Sequence, residues 1–329
     1  MERQRAHHDV EPSSEGTVSI VSVSDDRAGN MRQADALANA LGSAHALILQ
    51  PRWPWRAFAP RCIPGGERAF GQEFRRMLDA APAVSVGCGR QAALATRLLR
   101  ARGSRAVQIL DPRIDPGHWD VVVAPRHDAL RGRNVIASLG SLHPVDDLWL
   151  ARARAQFAAV EALPRPRTAL LVGGSSRHVM FDRNAFDALA THVDAALARD
   201  GGSLLATASR RTEPDVRRAL RERFPNTPGV AWVDAQDGAN PYPGLLAWAD
   251  RIVCSPDSVN MISEACATTV PVYVSAPHGA RGRLRTFLDS LLAIGRIRVV
   301  DAVLAPFDVE PLRETARIAE EVRTRLSLR

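Results

Sequence analysis

The sequence predicts an α/β protein made of two Rossmann-like units in series. Three observations carry that expectation. Short β-branched runs alternate with helix-patterned segments along the chain, as in parallel βαβ units. The pattern halts at a Pro-Arg-Pro-Arg stretch ending at residue 167 and starts afresh with "TALLVGGSS". The 329 residues, 46% hydrophobic and 24% charged, suffice for two ordinary cores.

Taken in order, residues 1–16 ("MERQRAHHDVEPSSEG") are polar and lack the apolar stretch of a secretion signal, so they read as a floppy leader on a cytoplasmic protein. The first domain spans 17–145, with strands expected at 18–23, 46–49, 84–86, 107–110 and 121–123. Between the first two, Ala34, Leu37, Ala38 and Leu41 recur at helical spacing, and Gly42 ends the helix. A linker helix is expected within 146–166. The second domain, 167–305, takes strands at "TALLV", 203–207, 230–233, 252–254 and 272–274. Residues 306–329 supply a closing helix.

Composition removes several kinds of chemistry. All 43 basic residues are Arg. Without Lys there is neither Schiff-base catalysis nor a P-loop lysine, and the arginine bias fits a bacterial source. The net charge of +7 suits an anionic partner: a nucleotide, a phospholipid surface or a nucleic acid. Aromatics are only 5% and no nucleic-acid-binding motif is present, so no nucleic acid partner is expected. Cys62, Cys88, Cys254 and Cys266 lack metal-site or disulfide-framework spacing, so reduced thiols and no metal are expected.

In open parallel sheets, ligands bind where strand ends pass into helices. After the first strand come Gly29, Asn30 and Gln33, either ligand groups or an ordinary capped turn. After the third, "GCGRQAA" places Gly89 and Arg90 at a helix start. Arg113, His127 and Asp128 follow the next two strands. His127 beside Asp128 reads either as a general base with its carboxylate or as a solvated loop histidine. In the second half, Gly173, Gly174, Ser175 and Ser176 form a candidate phosphate cradle, although the Walker spacing is missing. Ser209, Arg210 and Arg211 suit a diphosphate, and Asn240 and Tyr242 stand before a helix.

The helix of "SPDSVNMISEA" sets Val259, Ile262 and Cys266 on one stripe and Asp257, Asn260 and Glu264 nearly opposite. Glu264 is therefore expected outside the core, facing solvent or a cleft. Ser258 and the amides behind it form a candidate anion site. The segment "GARGRLRTFLDSLL" at 279–292 reads as a basic surface for a partner or an anionic membrane, or as a solvated helix face.

The motifs "DDRAGNMRQADALA", "GCGRQAA", "QILDPR", "PRHD", "LVGGSS", "ASRRTEP", "NPYPGLLAWAD" and "SPDSVNMISEA", in this order over about residues 17–305, resemble the mitochondrial fission protein family named for elongated mitochondria in plants. Many bacterial members are described as glycosyltransferases or nucleotide-sugar enzymes. The resemblance implies a GT-B-like form: two facing Rossmann-like domains, a deep cleft, and a C-terminal helix crossing back to the first domain. It implies that Glu264 holds the ribose hydroxyls of a nucleoside-diphosphate sugar, with Ser258, Asn260 and Met261 near the diphosphate and Arg210 and Arg211 as its cations.

It further implies that Gly29, Asn30 and Gln33 form a first-domain loop facing donor and acceptor across the cleft, and Arg27, Gly89, Arg90 and Arg113 are expected on the same side, toward an unidentified glycan or lipid acceptor. The donor is a substrate and no cofactor is expected; with no DxD cluster, leaving-group charge falls to arginines and helix amides without a metal. Plant members act as adaptors for a dynamin-related protein, so the competing expectation is a non-catalytic adaptor binding a dynamin-like or membrane-associated partner, peripheral at the inner face of the membrane.

Overall fold

The computed structural model describes residues 18–328, so the leader expected at 1–16 lies outside the described residues. The first domain runs β1 (Ile20–Ser24), α1 (Ala28–Leu41), β2 (Ala44–Ile48), α2 (Trp55–Phe58), α3 (Gln72–Asp79), β3 (Val84–Cys88), α4 (Arg90–Arg100), β4 (Arg105–Ile109), β5 (Val121–Pro125) and β6 (Val135–Ser138). Its sheet is parallel, in the order β2-β1-β3-β4-β5-β6. Runs such as "IVSVS" and "VVVAP" are buried along their whole length because helices cover both faces.

α5 (Asp147–Gln156) carries the chain to the second domain. There follow β7 (Arg167–Val172), α6 (Arg183–Asp200), β8 (Ser203–Ala208), α7 (Pro214–Arg223), β9 (Gly229–Trp232), α8 (Tyr242–Trp248), β10 (Arg251–Cys254), α9 (Val259–Cys266), β11 (Val272–Val274), α10 (Gly282–Ala293) and β12 (Arg298–Val299). This parallel sheet has the order β12-β11-β10-β7-β8-β9, which within the domain is the 3-2-1-4-5-6 order of dinucleotide-binding sheets. The protein is thus α/β, with two Rossmann-like domains. α5 is not a bare tether: Leu150 and Ala153 pack with Ala247 of α8. The 279–292 segment is largely α10, whose Leu284, Phe287, Leu288 and Leu291 are buried. Its Arg283 and Arg285 pair with Asp128 and Asp289, so the expected basic face is mostly neutralised.

α11 (Glu314–Leu326) crosses back to the first domain. Ile318, Ala319, Val322 and Leu326 join the core beside Leu37 of α1 and Val123 of β5, and burying each of the larger side chains stabilises by about 1.5–3 kcal/mol. The chain therefore passes between domains twice, and the two passages are bonded together. Leu139 N donates to Glu314 (2.8 Å), His143 N to the Thr315 hydroxyl (3.0 Å), and Arg313 makes a two-pronged pair with Asp147 at 2.7 Å.

His143, 3% exposed, has an Nδ1 without a partner, and burial pulls its imidazole down to about 4 despite bonding at the Leu312 backbone. Between pH 6.5 and about 4 the unfolded chain binds the proton and the folded chain does not, so stability falls as pH drops through that window. At about 1.4 kcal/mol per pKa unit the full loss is about 3 kcal/mol. Urea denaturation at pH 7 and pH 4.5 should show it, and His143→Leu should flatten the dependence; an unchanged slope would dismiss His143 as its source. All four cysteines are free, with only Cys62 exposed.

Candidate functional site

Each sheet reverses direction beside its first strand, and such switch points open crevices at strand carboxyl ends. In the first domain the crevice lies past β1 and β3. Asn30 Nδ2 donates to Asp25 Oδ1 (2.8 Å), and Gly89, at φ +87°, backs on the same amide: a Cβ there would meet Asn30 Nδ2 at 2.6 Å. In the second it lies past β7 and β10, where Gly173 N donates to Ser255 Oγ (2.7 Å). The crevices face each other. The domains touch where Gly29 meets Asn260, so closely that a Cβ on Gly29 would sit 2.2 Å from Asn260 Nδ2.

Two cavities flank this contact. One, of about 750 Å³, is bounded by the ends of β7, β8 and β9 and the start of α9. It gathers Gly173, Ser209, Arg210, Arg211, Asn240, Tyr242, Ser258, Asn260, Met261 and Glu264 with Arg27, Gly29 and Arg32. The other, of about 1040 Å³, gathers Arg27, Asn30, Gln33, Gly89, Arg90, Arg113, His127 and Asp128 with Ser176, Arg177, Arg211 and Arg283. Arg27 and Arg211 line both cavities.

Of the two surroundings expected for Glu264, solvent and a cleft, the structure gives the cleft: the residue is 2% exposed and borders the smaller cavity. The helical wheel does place it opposite Val259, Ile262 and Cys266, but α1 of the other domain covers that side. Arg32 Nη1 donates to Oε1 (2.7 Å) and the Tyr242 hydroxyl to Oε2 (2.6 Å). Burial and the facing carboxylate push the Tyr242 phenol well above its ordinary value, so it remains a donor. α9 is anchored at both ends. Ser258 Oγ caps it by accepting from Met261 N (3.3 Å), and buried Arg296 donates to the Cys266 and Thr268 carbonyls (2.9 and 2.8 Å).

The loop after β7 is not the expected cradle. Gly174 packs on the backbone of the Arg210–Arg211 loop, 2.1 Å from Arg211 O for a notional Cβ, and does not line the smaller cavity. The Ser175 hydroxyl accepts from Phe181 N (3.0 Å) and that of Ser176 from His178 N (3.2 Å), so both shape their own loop, and Ser176 borders the larger cavity. Asp257, flagged only by its place on the wheel, has a fully buried side chain that accepts from Ser255 Oγ (2.6 Å) and pairs with Arg211 (2.6 Å). Ser209 Oγ accepts from Arg211 N (3.1 Å), which fixes the same loop.

His127 and Asp128 are not partners. Asp128 pairs with Arg283 across the cleft (2.7 Å), while the His127 ring packs edge-on against Phe287 (5.7 Å). Burial lowers the His127 pKa, with Arg283 adding to the effect and Asp128 opposing it, so the ring is neutral at neutral pH. On the first-domain side, Gln33 is buried and donates to Gly29 O (3.2 Å), Arg113 pairs with Asp111 (3.1 Å), and Arg90 donates to the carbonyls of Arg56 and Ala57 (2.9 and 3.2 Å). Sequence reasoning missed Arg32, Trp53, Arg56, Arg177 and Arg283. Of these, only Arg283 carried a signal in the sequence, as part of the basic 279–292 segment.

A family described as mitochondrial fission ELM1 matches residues 28–326 of the chain. The mitochondrial fission protein ELM1 of Arabidopsis thaliana is 29% identical over 281 residues, covering 75% of this chain and 65% of that protein. The chain thus spans less than two thirds of that relative's length. Among solved structures, the UDP-GlcNAc 2-epimerase of Methanocaldococcus jannaschii has a TM-score of 0.55 at 12% identity, covering 93% of this chain and 99% of that one. The epimerase of Neisseria meningitidis, bound to UDP-GlcNAc, has a TM-score of 0.51 at 11% identity over 94% of this chain and 93% of that one. At such identities the likeness is one of fold, and the fold is GT-B-like.

Proposed function

The chain belongs to the mitochondrial fission ELM1 family, and from that premise and its paired cavities we propose that it transfers a sugar from a nucleoside-diphosphate donor to an acceptor. One observation carries the reading: a buried carboxylate, Glu264, held by Arg32 and Tyr242, borders a cavity of about 750 Å³ at the second domain's switch point. Ribose hydroxyls donate well to such a carboxylate. The diphosphate would lie toward Arg210, which makes no ion pair among the described residues, toward Arg211, and toward the positive end of α9. The Neisseria epimerase holds UDP-GlcNAc on the same fold, which supports placing the donor here.

The reaction would run where the cavities meet. His127, neutral because it is buried, takes the proton of an acceptor hydroxyl. The acceptor oxygen bonds to the anomeric carbon as the bond to the diphosphate breaks, and the arginines take up the charge that develops. The name of the Arabidopsis relative favours a second reading, a non-catalytic adaptor on the same fold.

Thermal shift and calorimetry with UDP, GDP, CMP and their sugars separate the two. One nucleotide should bind, and at about a hundredfold excess over Kd it should add about 2.7 kcal/mol of stability. Arg210→Ala should weaken it. If no nucleotide stabilises the protein, the adaptor reading stands instead.

A further inference from the structure

The larger cavity holds more cationic charge than its own carboxylates neutralise, and we propose that it binds an acceptor bearing a phosphate group. Calling the ligand an acceptor rests on the transferase reading; the surplus charge does not. Each acid lining the cavity already has an arginine from the same lining: Asp25 with Arg27 (3.8 Å), Asp111 with Arg113 (3.1 Å), Asp128 with Arg283 (2.7 Å) and Asp257 with Arg211 (2.6 Å).

Arg56, Arg90 and Arg177 also line it, and among the described residues none of them pairs with a carboxylate. Arg90 donates to two backbone carbonyls and Arg177 to His178 Nε2 (2.9 Å), contacts that orient the guanidiniums without cancelling their charge. These cations come from both domains and converge on one cleft, where the field of like charges is focused. A carboxylate offers one charge. A phosphate ester carries about −1.5 to −2 and three acceptor oxygens, which matches forked guanidiniums better.

The cavity mouth bears on the source of that phosphate. Trp53, which lines the cavity, is 82% exposed, and Ile48 and Phe58, to either side of it in the sequence, are 56% and 50% exposed. From Leu49 to Cys62 the only charged residues are Arg52, Arg56 and Arg61. Aromatic and aliphatic side chains mixed with arginine and no acid suit the boundary of an anionic bilayer. The phosphate could therefore be presented by a lipid headgroup or be free in solution.

Calorimetry of the full chain with inorganic pyrophosphate, the smaller cavity filled by saturating nucleotide wherever one binds, and flotation with phosphatidylcholine vesicles with and without phosphatidic acid, test both. Arg56 and Arg177 are exposed, so replacing both by Ala leaves the fold intact. The double variant should weaken pyrophosphate binding about tenfold or more, with nucleotide affinity unchanged. Capture by phosphatidic acid vesicles that Trp53→Ala abolishes would identify a lipid source; pyrophosphate binding without capture, a soluble one. Absence of pyrophosphate binding, or binding indifferent to the double variant, overturns the proposal. Pyrophosphate binding that depends on these arginines in a protein that binds no nucleotide would end the transferase reading and leave the phosphate site standing.

Discussion

Glu264→Gln should lower affinity for the donor nucleotide about 10- to 100-fold, since hydrogen bonds to a charged group are worth about 1.5–3 kcal/mol and glutamine keeps the shape while losing the charge. Folding stability should change far less. Arg32 is 45% exposed at its side chain, so solvent screens the ion pair, and its loss should cost under about 1 kcal/mol. Calorimetry beside urea denaturation reads the two quantities separately. Unchanged nucleotide affinity would remove Glu264 from the site. A large loss of stability with affinity intact would make it a domain clamp only.

Gly174→Ala should damage both properties. Its Cβ would lie 2.1 Å from Arg211 O, 2.7 Å from Arg211 C and 3.1 Å from Thr212 N, and these are backbone atoms that cannot rotate away. The loop carrying Arg210 and Arg211 must move. Overpacking of this kind costs about 1–3 kcal/mol, and nucleotide binding should fall at least as far as in Glu264→Gln. Gly279→Ala, with nothing within 4 Å of the new methyl, is the control and should shift stability by less than about 1 kcal/mol. A Gly174→Ala protein that binds nucleotide normally would show that the loop's position does not matter.

Much of the fold was legible in the sequence because parallel strands buried on both faces read as continuous apolar runs, as at β5 and within β7. β6 and β12 were not. β6 is four residues whose burial alternates and whose apolar run, Val135 to Ala137, is only three long, and β12 is just two exposed residues, Arg298 and Val299. The start of α1 at Ala28 was not legible either, because its first turn is occupied by Gly29 and Asn30 and shows no apolar periodicity. The site divides in the same way. Residues just past strand ends, such as Ser209 and Arg211, could be found by position alone. Arg32 could not: on its own helix it is an exposed polar residue, and only the approach of α9 gives it a partner. For the same reason periodicity set Glu264 apart from the α9 core stripe but left solvent and cleft as alternatives, and only the approach of α1 decides between them.

The paired crossings between the domains also constrain how they can move. Two covalent passages side by side, cross-bonded at Leu139, His143 and Arg313, resist twisting and sliding far more than bending. The Arg32–Glu264 bridge is a further tie between the two domains, set at the edge of the smaller cavity. A ligand that takes up the acid's lone pairs in place of Arg32 loosens the bridge, while one that accommodates both tightens it. A ligand in the smaller cavity would therefore bear on how firmly the two domains are held together.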